Sequence, residues 1–159
     1  MGAAYFYHLT DRRLEDVLPP LLERALAHGW RVAIRGADAA RLAALDEALW
    51  CVPADGFLPH GMEGGGREAE QPVLLTTAAG PAANAPDCTF AVHGAALGAA
   101  EVAAAARCAV VFDGGDGDEL SAARALWKSL TASGASAQYW AQSGGRWEKR
   151  AESAGAGGT

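Results

Sequence analysis

Residues 31–50 read RVAIRGADAARLAALDEALW and hold a strand, a turn and a helix in one short stretch. Arg31 to Arg35 encloses a short apolar run, which predicts a strand. Asp38 follows the turn at Gly36 and is typical of a helix N-cap, because its carboxylate accepts backbone N–H groups. The leucine spacing from Ala39 to Trp50 predicts an amphipathic helix. A strand followed directly by a helix is the repeating unit of α/β folds.

The same alternation extends along the chain in both directions. Ala4 to Leu9 predicts a first strand, and apolar spacing from Arg12 to His28 predicts a helix that Pro19 and Pro20 interrupt. Further strands are predicted at residues 72–77, 89–93 and 107–112, helices at 95–106 and 119–133, and a final strand or hairpin at 137–142 and 146–149. The glycine-rich residues 61–71 predict a loose, exposed loop.

This order predicts the fold class. We expect an α/β protein, a single-domain three-layer sandwich with a mostly parallel central sheet, resembling nucleotide-binding folds. The domain is expected to span residues 1–150. Residues 151–159, AESAGAGGT, are small and polar and predict a flexible C-terminal tail.

Composition and charge argue against several classes of protein. The formal net charge of −6 disfavours a protein that grips DNA by phosphate neutralisation alone. Cys51, Cys88 and Cys108 are odd in number and without CxxC or zinc spacing, so we expect reduced thiols in a cytoplasmic protein. A secretory signal peptide and a membrane span are not expected, since the chain has neither a basic leader with a long apolar run nor a span-length apolar segment.

Sequence motifs for nucleotide or metal chemistry are absent. The first two strands are not followed by a glycine-rich turn ending in lysine, so a phosphate loop is not expected. Residues 113–118, DGGDGD, lack the closing glutamate of an EF-hand, and the histidines lack metal spacing. We therefore expect no cofactor and no catalytic residues. One alternative stays open: a small α/β nucleotide-binding protein or enzyme with an unrecognised site around His8, Asp38 and His93.

A basic and aromatic cluster occupies the last third of the chain. Arg124, Trp127 and Lys128 lie at i, i+3 and i+4 and share one helix face. Together they suit a carboxylate beside an apolar side chain, and Arg146 beside Trp147 offers similar chemistry. Two alternatives stay open: Trp127 is a core residue with solvated cations around it, or the tryptophans bind single-stranded DNA directly by stacking.

Large apolar residues also follow the helix of the opening segment. Trp50, Phe57 and Pro59 lie at or beyond its end, where they either cap the core or form a partner surface. Asp46 and Glu47 are adjacent and point in different directions, so they do not form a catalytic carboxylate pair. We expect them to solvate the helix or to bond the following loop.

These segments together resemble the chi-subunit family of bacterial DNA polymerase III, whose members are clamp-loader accessory proteins. The matching pieces are FYHL at Phe6 to Leu9, LDEALW at Leu45 to Trp50, GFLPHG at Gly56 to Gly61, and a C-terminal set comprising Arg124, Trp127, Lys128, Tyr139, Trp140, Gly145 and Trp147. The resemblance implies an α/β sandwich without a phosphate loop. It also implies an accessory subunit of a nucleotidyltransferase holoenzyme with no enzymatic activity of its own.

The resemblance further implies the partners. The family bridges the clamp loader to single-stranded DNA-binding protein through that protein's acidic C-terminal tail, so contact with DNA is expected to be indirect. Arg124, Trp127 and Lys128 match the family's tail site, with the indole receiving a terminal phenylalanine. Leu120 stands where the family has a basic residue, which weakens the acidic clamp or shifts it to Arg146 or Lys149.

A second partner is implied for the loop after the second helix. In the family the psi subunit docks on a surface that includes this loop, here Trp50, Phe57 and Pro59. A psi subunit, or its equivalent in the clamp loader, is therefore the expected partner of this surface.

Overall fold

The computed structural model describes residues 3–10, 12–51, 60–77, 82–144 and 146–153. Eight strands and four helices form within these ranges. The strands are β1 (Ala3–Leu9), β2 (Val32–Gly36), β3 (Gly61–Met62), β4 (Val73–Thr76), β5 (Cys88–Val92), β6 (Arg107–Asp113), β7 (Ser136–Ser143) and β8 (Arg146–Ser153). The helices are α1 (Leu14–Ala27), α2 (Ala39–Trp50), α3 (Ala99–Ala104) and α4 (Gly117–Ala132).

All eight strands join one sheet in the order β3-β4-β2-β5-β6-β1-β7-β8. Every neighbouring pair is parallel except β7 and β8, which form an antiparallel hairpin. The prediction of a mostly parallel sheet is confirmed. β8 lies at one edge of the sheet, and the two-residue β3 lies at the other.

Helices cover both faces of this sheet and make three layers, as predicted. α1 and α2 pack on one face, where α1 contacts β2 and β6 and α2 contacts β2, β3 and β4. α3 and α4 pack on the other face, against β1, β6 and β7. Each face has its own apolar cluster: Leu18, Leu22, Ile34 and Leu42 lie in the first and Phe6, Phe112 and Leu130 in the second.

Local contacts explain how α2 begins and how α1 contains two prolines. Asp38 caps α2, since its Oδ1 accepts from the backbone N–H groups of Ala40 and Arg41 at 2.9 and 3.2 Å. Pro19 and Pro20 lie inside α1, where each removes one intrahelical hydrogen bond. The carbonyl of Asp16, four residues before Pro20, instead accepts from the guanidinium of Arg12 at 3.3 Å.

Three predicted elements differ from those observed. Residues 61–71 are not simply a loose loop, because Gly61–Met62 pairs with β4 and Glu68–Glu70 forms a turn of 3-10 helix. α3 is shorter than predicted, ending at Ala104. β8 extends to Ser153, which pairs with Ala137, so residues 151–153 belong to the sheet rather than to a tail. Residues 151–153 form a strand because their backbone pairs with β7, and the composition of the side chains does not predict that pairing.

A buried ion pair joins the sheet to the second helical layer. Arg35 on β2 is 5 % exposed, and its guanidinium donates to Glu101 of α3, with Nη1 to Oε1 at 2.8 Å. The same nitrogen donates to the carbonyl of Ala96 at 3.1 Å. Glu101 Oε1 also accepts from the backbone N–H of Gly98 at 3.0 Å. This pairing lowers the pKa of the Glu101 carboxyl and fixes the short helix α3 to the sheet.

In the ranges that the structure describes, no helix is both long and apolar enough to cross a bilayer.

Candidate functional site

Helix α4 presents the basic and aromatic cluster at its surface. Asp116 caps the helix by accepting from the N–H groups of Asp118 and Glu119, and Ala123 and Leu130 bury its inner face. Arg124 and Lys128 are exposed, and Trp127 is half-buried between them in sequence. Neither cation forms an ion pair with any carboxylate in the described part of the chain. Two uncompensated positive charges therefore flank one indole.

The indole of Trp127 rests on an aromatic floor. Its ring lies 5.2 Å from Phe6 and 5.8 Å from Tyr139, edge-to-face in both cases. Tyr139 is stacked against Phe6 at 6.4 Å. Such contacts hold ring orientation and contribute roughly 0.5–1.5 kcal/mol per pair beyond area burial. Trp127 is thus part of the core on one side and accessible on the other, which combines the two interpretations of its spacing.

Two further residues, His8 and Arg150, bear on the chemistry of this cluster. His8 Nδ1 lies 2.8 Å from the Tyr139 hydroxyl, and its ring is 5.0 Å from Phe112. Burial lowers the pKa of His8, and the positive charges of Arg124 and Arg150 lower it further. Burial raises the pKa of Tyr139, while Arg124 opposes that shift. The positive charges of Arg124 and Arg150 thus disfavour protonation of His8.

Arg150 reaches this surface because of an irregularity in the hairpin. Tyr139 pairs with Ala151 and Trp140 pairs with Lys149, so Arg150 is an extra, unpaired residue, a β-bulge. Sequence reasoning had offered Arg146 or Lys149 as substitutes for the basic residue missing at Leu120. Leu120 packs against the second apolar cluster. We call Arg124, Trp127, Lys128, Tyr139 and Arg150 the α4 surface.

The other two sequence candidates lie elsewhere on the hairpin. Arg146 is exposed at the start of β8 and pairs with Ser143. Lys149 lies beside Trp140 in the register, on the face of the sheet opposite α4. Its Nζ donates to Glu152 Oε1 at 3.1 Å. The charge of Arg150 therefore acts on His8, whereas Lys149 lies on the opposite face of the sheet.

The end of α2 forms a second exposed aromatic surface. Trp50 is 54 % exposed, the one large apolar side chain that is exposed among the described residues. Its ring lies 4.1 Å from that of buried His60. His60 Nε2 lies 3.2 Å from the Asp46 carbonyl and 3.3 Å from its Oδ1, so Asp46 bonds the following loop as predicted. Phe57 and Pro59 lie outside the described residues.

Comparison with known proteins bears on the identity of the chain. The family model for "DNA polymerase III chi subunit, HolC" matches residues 1–138. The chain belongs to the DNA polymerase III chi-subunit family. No curated protein matches it at a significant level. Members of this family are accessory subunits of the replicative polymerase, so the chain has a DNA polymerase III subunit role in replication. The matched range ends at Gln138, inside β7.

A cavity of this chi-family chain lies at the carboxyl ends of the parallel strands, where α/β folds often bind ligands. It measures about 310 Å³ and is lined by residues that include Arg12, Arg13, Arg41, Glu15, Asp113 and Glu119. The charges pair within the cavity: Arg41 donates to Glu119 at 2.6 Å, and Glu119 also accepts from the backbone N–H of Asp113. Positive and negative side chains thus balance, which does not favour a phosphate site.

The residues proposed for an unrecognised enzyme site do not converge in this cavity. His93 lines it, with a backbone φ of 55° and a pKa lowered chiefly by burial. Asp38 is occupied in capping α2, and His8 bonds Tyr139 near α4. Within the described ranges, no group of three His, Cys, Asp or Glu side chains is placed to hold a metal ion.

Proposed function

We propose that this chi-family chain is a non-catalytic replisome adaptor. It links the clamp loader of DNA polymerase III to single-stranded DNA-binding protein by binding that protein's acidic C-terminal tail on the α4 surface. Its contact with DNA through this surface is indirect. Membership of the chi family supports the polymerase assignment, and the chemistry of the α4 surface supports the choice of ligand.

One observation carries the proposal: the half-buried indole of Trp127 lies between the exposed, unpaired cations Arg124 and Lys128 on one helix face. An apolar terminal side chain packs on the indole, and the terminal carboxylate and preceding acidic residues meet the cations. Arg150 adds a third positive charge near His8, whose ring bonds the Tyr139 hydroxyl. Arg146, at the start of β8, extends the basic surface toward the acidic part of the tail.

The expected affinity follows from these contacts. Charge-assisted hydrogen bonds contribute about 1.5–3 kcal/mol each when partly desolvated, and exposure on α4 reduces that figure. Burying one apolar side chain adds a comparable amount, about 1.5–3 kcal/mol, while ordering a disordered tail offsets much of the total. Micromolar, salt-sensitive binding is the result, on the order of −8 kcal/mol.

Isothermal titration calorimetry with an acidic peptide ending in phenylalanine tests the proposal. Arg124→Ala and Lys128→Ala are expected to weaken binding most, by about tenfold, which is about 1.4 kcal/mol. Removing the terminal phenylalanine should abolish measurable binding. Lys149→Ala is the matched control, because it removes one exposed cation from the opposite face and should leave the affinity unchanged. Unchanged affinity in both α4 variants contradicts the assignment of this surface.

The Trp50 surface is proposed to dock the psi subunit or its equivalent in the clamp loader. Support comes from the exposure of Trp50 in a protein whose other described large apolar side chains are at least partly covered. Phe57 and Pro59 are the remaining candidates for this contact. Co-purification of the chain with its clamp-loader partner tests it: Trp50→Ala should release the partner without weakening the tail peptide. Retention of the partner by the variant rules out this docking surface.

A further inference from the structure

A second set of aromatic side chains lies on the face of β1, β7 and β8 that points away from α4. The register places Tyr7 beside Trp140, and the ring of Trp147 lies 5.1 Å from that of Tyr7. Tyr5 is 6.4 Å from Tyr7 along β1. All four rings are half-buried. We call these four residues, with the cations Arg107 and Lys149, the aromatic face.

The helices on this side of the sheet pack mainly over other strands. α1 contacts β2 and β6, and α2 contacts β2, β3 and β4, so the centre of this helical layer lies toward β3. β7 and β8, at the other end, carry Trp140 and Trp147 with part of each indole accessible. Tyr7 and Trp147 pack on one side against the apolar cluster beneath α1 and α2, so the accessible parts of Trp140 and Trp147 near the sheet edge form the candidate binding surface.

The cations of the aromatic face are held at its two ends. The guanidinium of Arg107 on β6 lies 4.4 Å from the ring of Tyr5 and 5.5 Å from that of Trp30. Arg107 has no ion-pair partner among the carboxylates of the described ranges. Arg24 of α1 joins Arg107 around a small concavity of about 40 Å³. Lys149 stands at the opposite end, on β8.

A hydrogen-bond chain fixes the orientation of Trp140. Its indole Nε1 donates to Gln138 Oε1 at 3.0 Å, and Gln138 Nε2 donates to Glu152 Oε2 at 3.2 Å. Glu152 in turn accepts from Lys149 at 3.1 Å. Such a chain orients the ring before any ligand arrives, which reduces the entropy lost on binding. This series of hydrogen bonds places one carboxylate, that of Glu152, on the aromatic face. The same face carries three cations, Arg24, Arg107 and Lys149.

We propose that the aromatic face binds single-stranded DNA directly. Bases stack on Trp140 and Trp147, and phosphates meet Arg107 and Lys149. Four neighbouring strands, β6-β1-β7-β8, span about 14 Å at about 4.8 Å per strand. Four-stranded sheet faces with exposed aromatics stack two or three bases in other nucleic-acid-binding modules. A peptide would satisfy the cations but would leave several flat rings with nothing flat to stack on them.

This inference goes beyond the adaptor function and does not depend on it. It also separates the tryptophans that the sequence grouped together, because Trp127 lies on the α4 side of the sheet and Trp140 and Trp147 lie on the other. Trp140 and Trp147 lie beyond the range matched by the family model. DNA is chosen over RNA because the family belongs to a DNA polymerase.

Fluorescence anisotropy with a labelled 15-nucleotide oligo(dT) and the full chain at low salt tests the proposal. Sequence-independent binding with a Kd of about 10⁻⁴ to 10⁻⁶ M is expected. Trp140→Ala should weaken it at least about fivefold and Trp140→Phe much less, since phenylalanine still stacks. A plot of log Kobs against log salt should have a slope of about −1.4 for two phosphate contacts. Lys149→Gln should reduce its magnitude by about 0.7.

Lys128→Gln is the matched control, because it removes one exposed lysine from the α4 surface. It should leave DNA binding unchanged while weakening the tail peptide, and Lys149→Gln should do the reverse. Failure of the adaptor function and failure of DNA binding are thereby distinguishable. Absence of oligo(dT) binding at low salt overturns the proposal, as does equal loss in both lysine variants. Displacement of DNA by the tail peptide makes the face a peptide site, and tighter binding of oligo(U) makes it an RNA site; either result overturns it too.

Discussion

Replacing Gly114 with alanine should disturb the residues beneath the α4 surface. Gly114 follows β6, and its N–H donates to the carbonyl of Leu9 at 2.9 Å. A Cβ at this position would lie 1.9 Å from Nε2 of His8 and 2.4 Å from its Cδ2. The His8 ring has little freedom to retreat, because its other nitrogen bonds the Tyr139 hydroxyl at 2.8 Å and its face packs against Phe112. Only a change of the His8 side-chain rotamer relieves the clash.

The expected cost follows from that movement. Losing the hydrogen bond to Tyr139 costs about 0.5–1.5 kcal/mol, and an off-rotamer histidine costs about 0.5–1.5 kcal/mol. The loss of backbone freedom in the unfolded chain returns about 0.4–1 kcal/mol. At the middle of these ranges the net destabilisation is about 1.3 kcal/mol, which lowers Tm by about 3–5 °C for a chain of this size.

Urea denaturation followed by tryptophan fluorescence measures this difference. Gly117→Ala is the matched control, since a Cβ there meets no atom within 4 Å, and it should be neutral or slightly stabilising. In a His8→Ala background, Gly114→Ala should cost almost nothing, because the clashing ring is gone. The reasoning fails if Gly114→Ala is as stable as Gly117→Ala, or if its cost persists without the His8 ring.

Two further predictions concern stability and thiol reactivity. Glu101→Gln should lower the free energy of unfolding at pH 7 by about 1–3 kcal/mol, less than for a fully buried pair, because it leaves buried Arg35 without its anion. Arg35 lowers the pKa of Glu101 in the folded protein. The difference in free energy of unfolding between wild type and variant should therefore be complete above about pH 4.3, and it should shrink as the pH falls through the folded pKa of Glu101. Urea titrations in which this difference persists at pH 2 would contradict the prediction. Burial raises the pKa of Cys88 to about 12 and of Cys108 to about 11, while Cys51 is exposed. Ellman's reagent should therefore react with one thiol in the folded protein and with three in urea. A second fast-reacting thiol in the folded protein would contradict the burial of Cys88 and Cys108.

Local signals in the sequence are enough to place most helices and strands. α2 has the predicted bounds because its start is written in Asp38 and its inner face in evenly spaced leucines. β3 escaped prediction because two residues at a sheet edge are held by pairing with β4 alone. β8 was underestimated for a related reason: a run of charged residues carries no alternation of apolar side chains, and its strand geometry comes from β7.

Tertiary neighbours of the candidate site were beyond the reach of the sequence. The spacing of Arg124, Trp127 and Lys128 on one helix face is a local property and was predicted. His8 and Tyr139 join that face through strand pairing of β1 with β7, across 131 residues of chain. The same limit applies to Arg35 and Glu101, which no short-range pattern connects. Phe57 and Pro59 stay predictions.

The hairpin of β7 and β8 explains how one small protein carries two basic surfaces back to back. Successive residues of a strand point to opposite faces, so an extra residue changes which face each following side chain occupies. Arg150 lies in the bulge and its charge acts on His8, while Lys149 stays beside Trp140 on the aromatic face. Without this extra residue, the β8 side chains beyond it would lie on the opposite faces of the sheet, so different cations would lie beside Tyr139 and Trp140. The α4 surface and the aromatic face share no residue, so occupation of one surface leaves the side chains of the other open to a ligand.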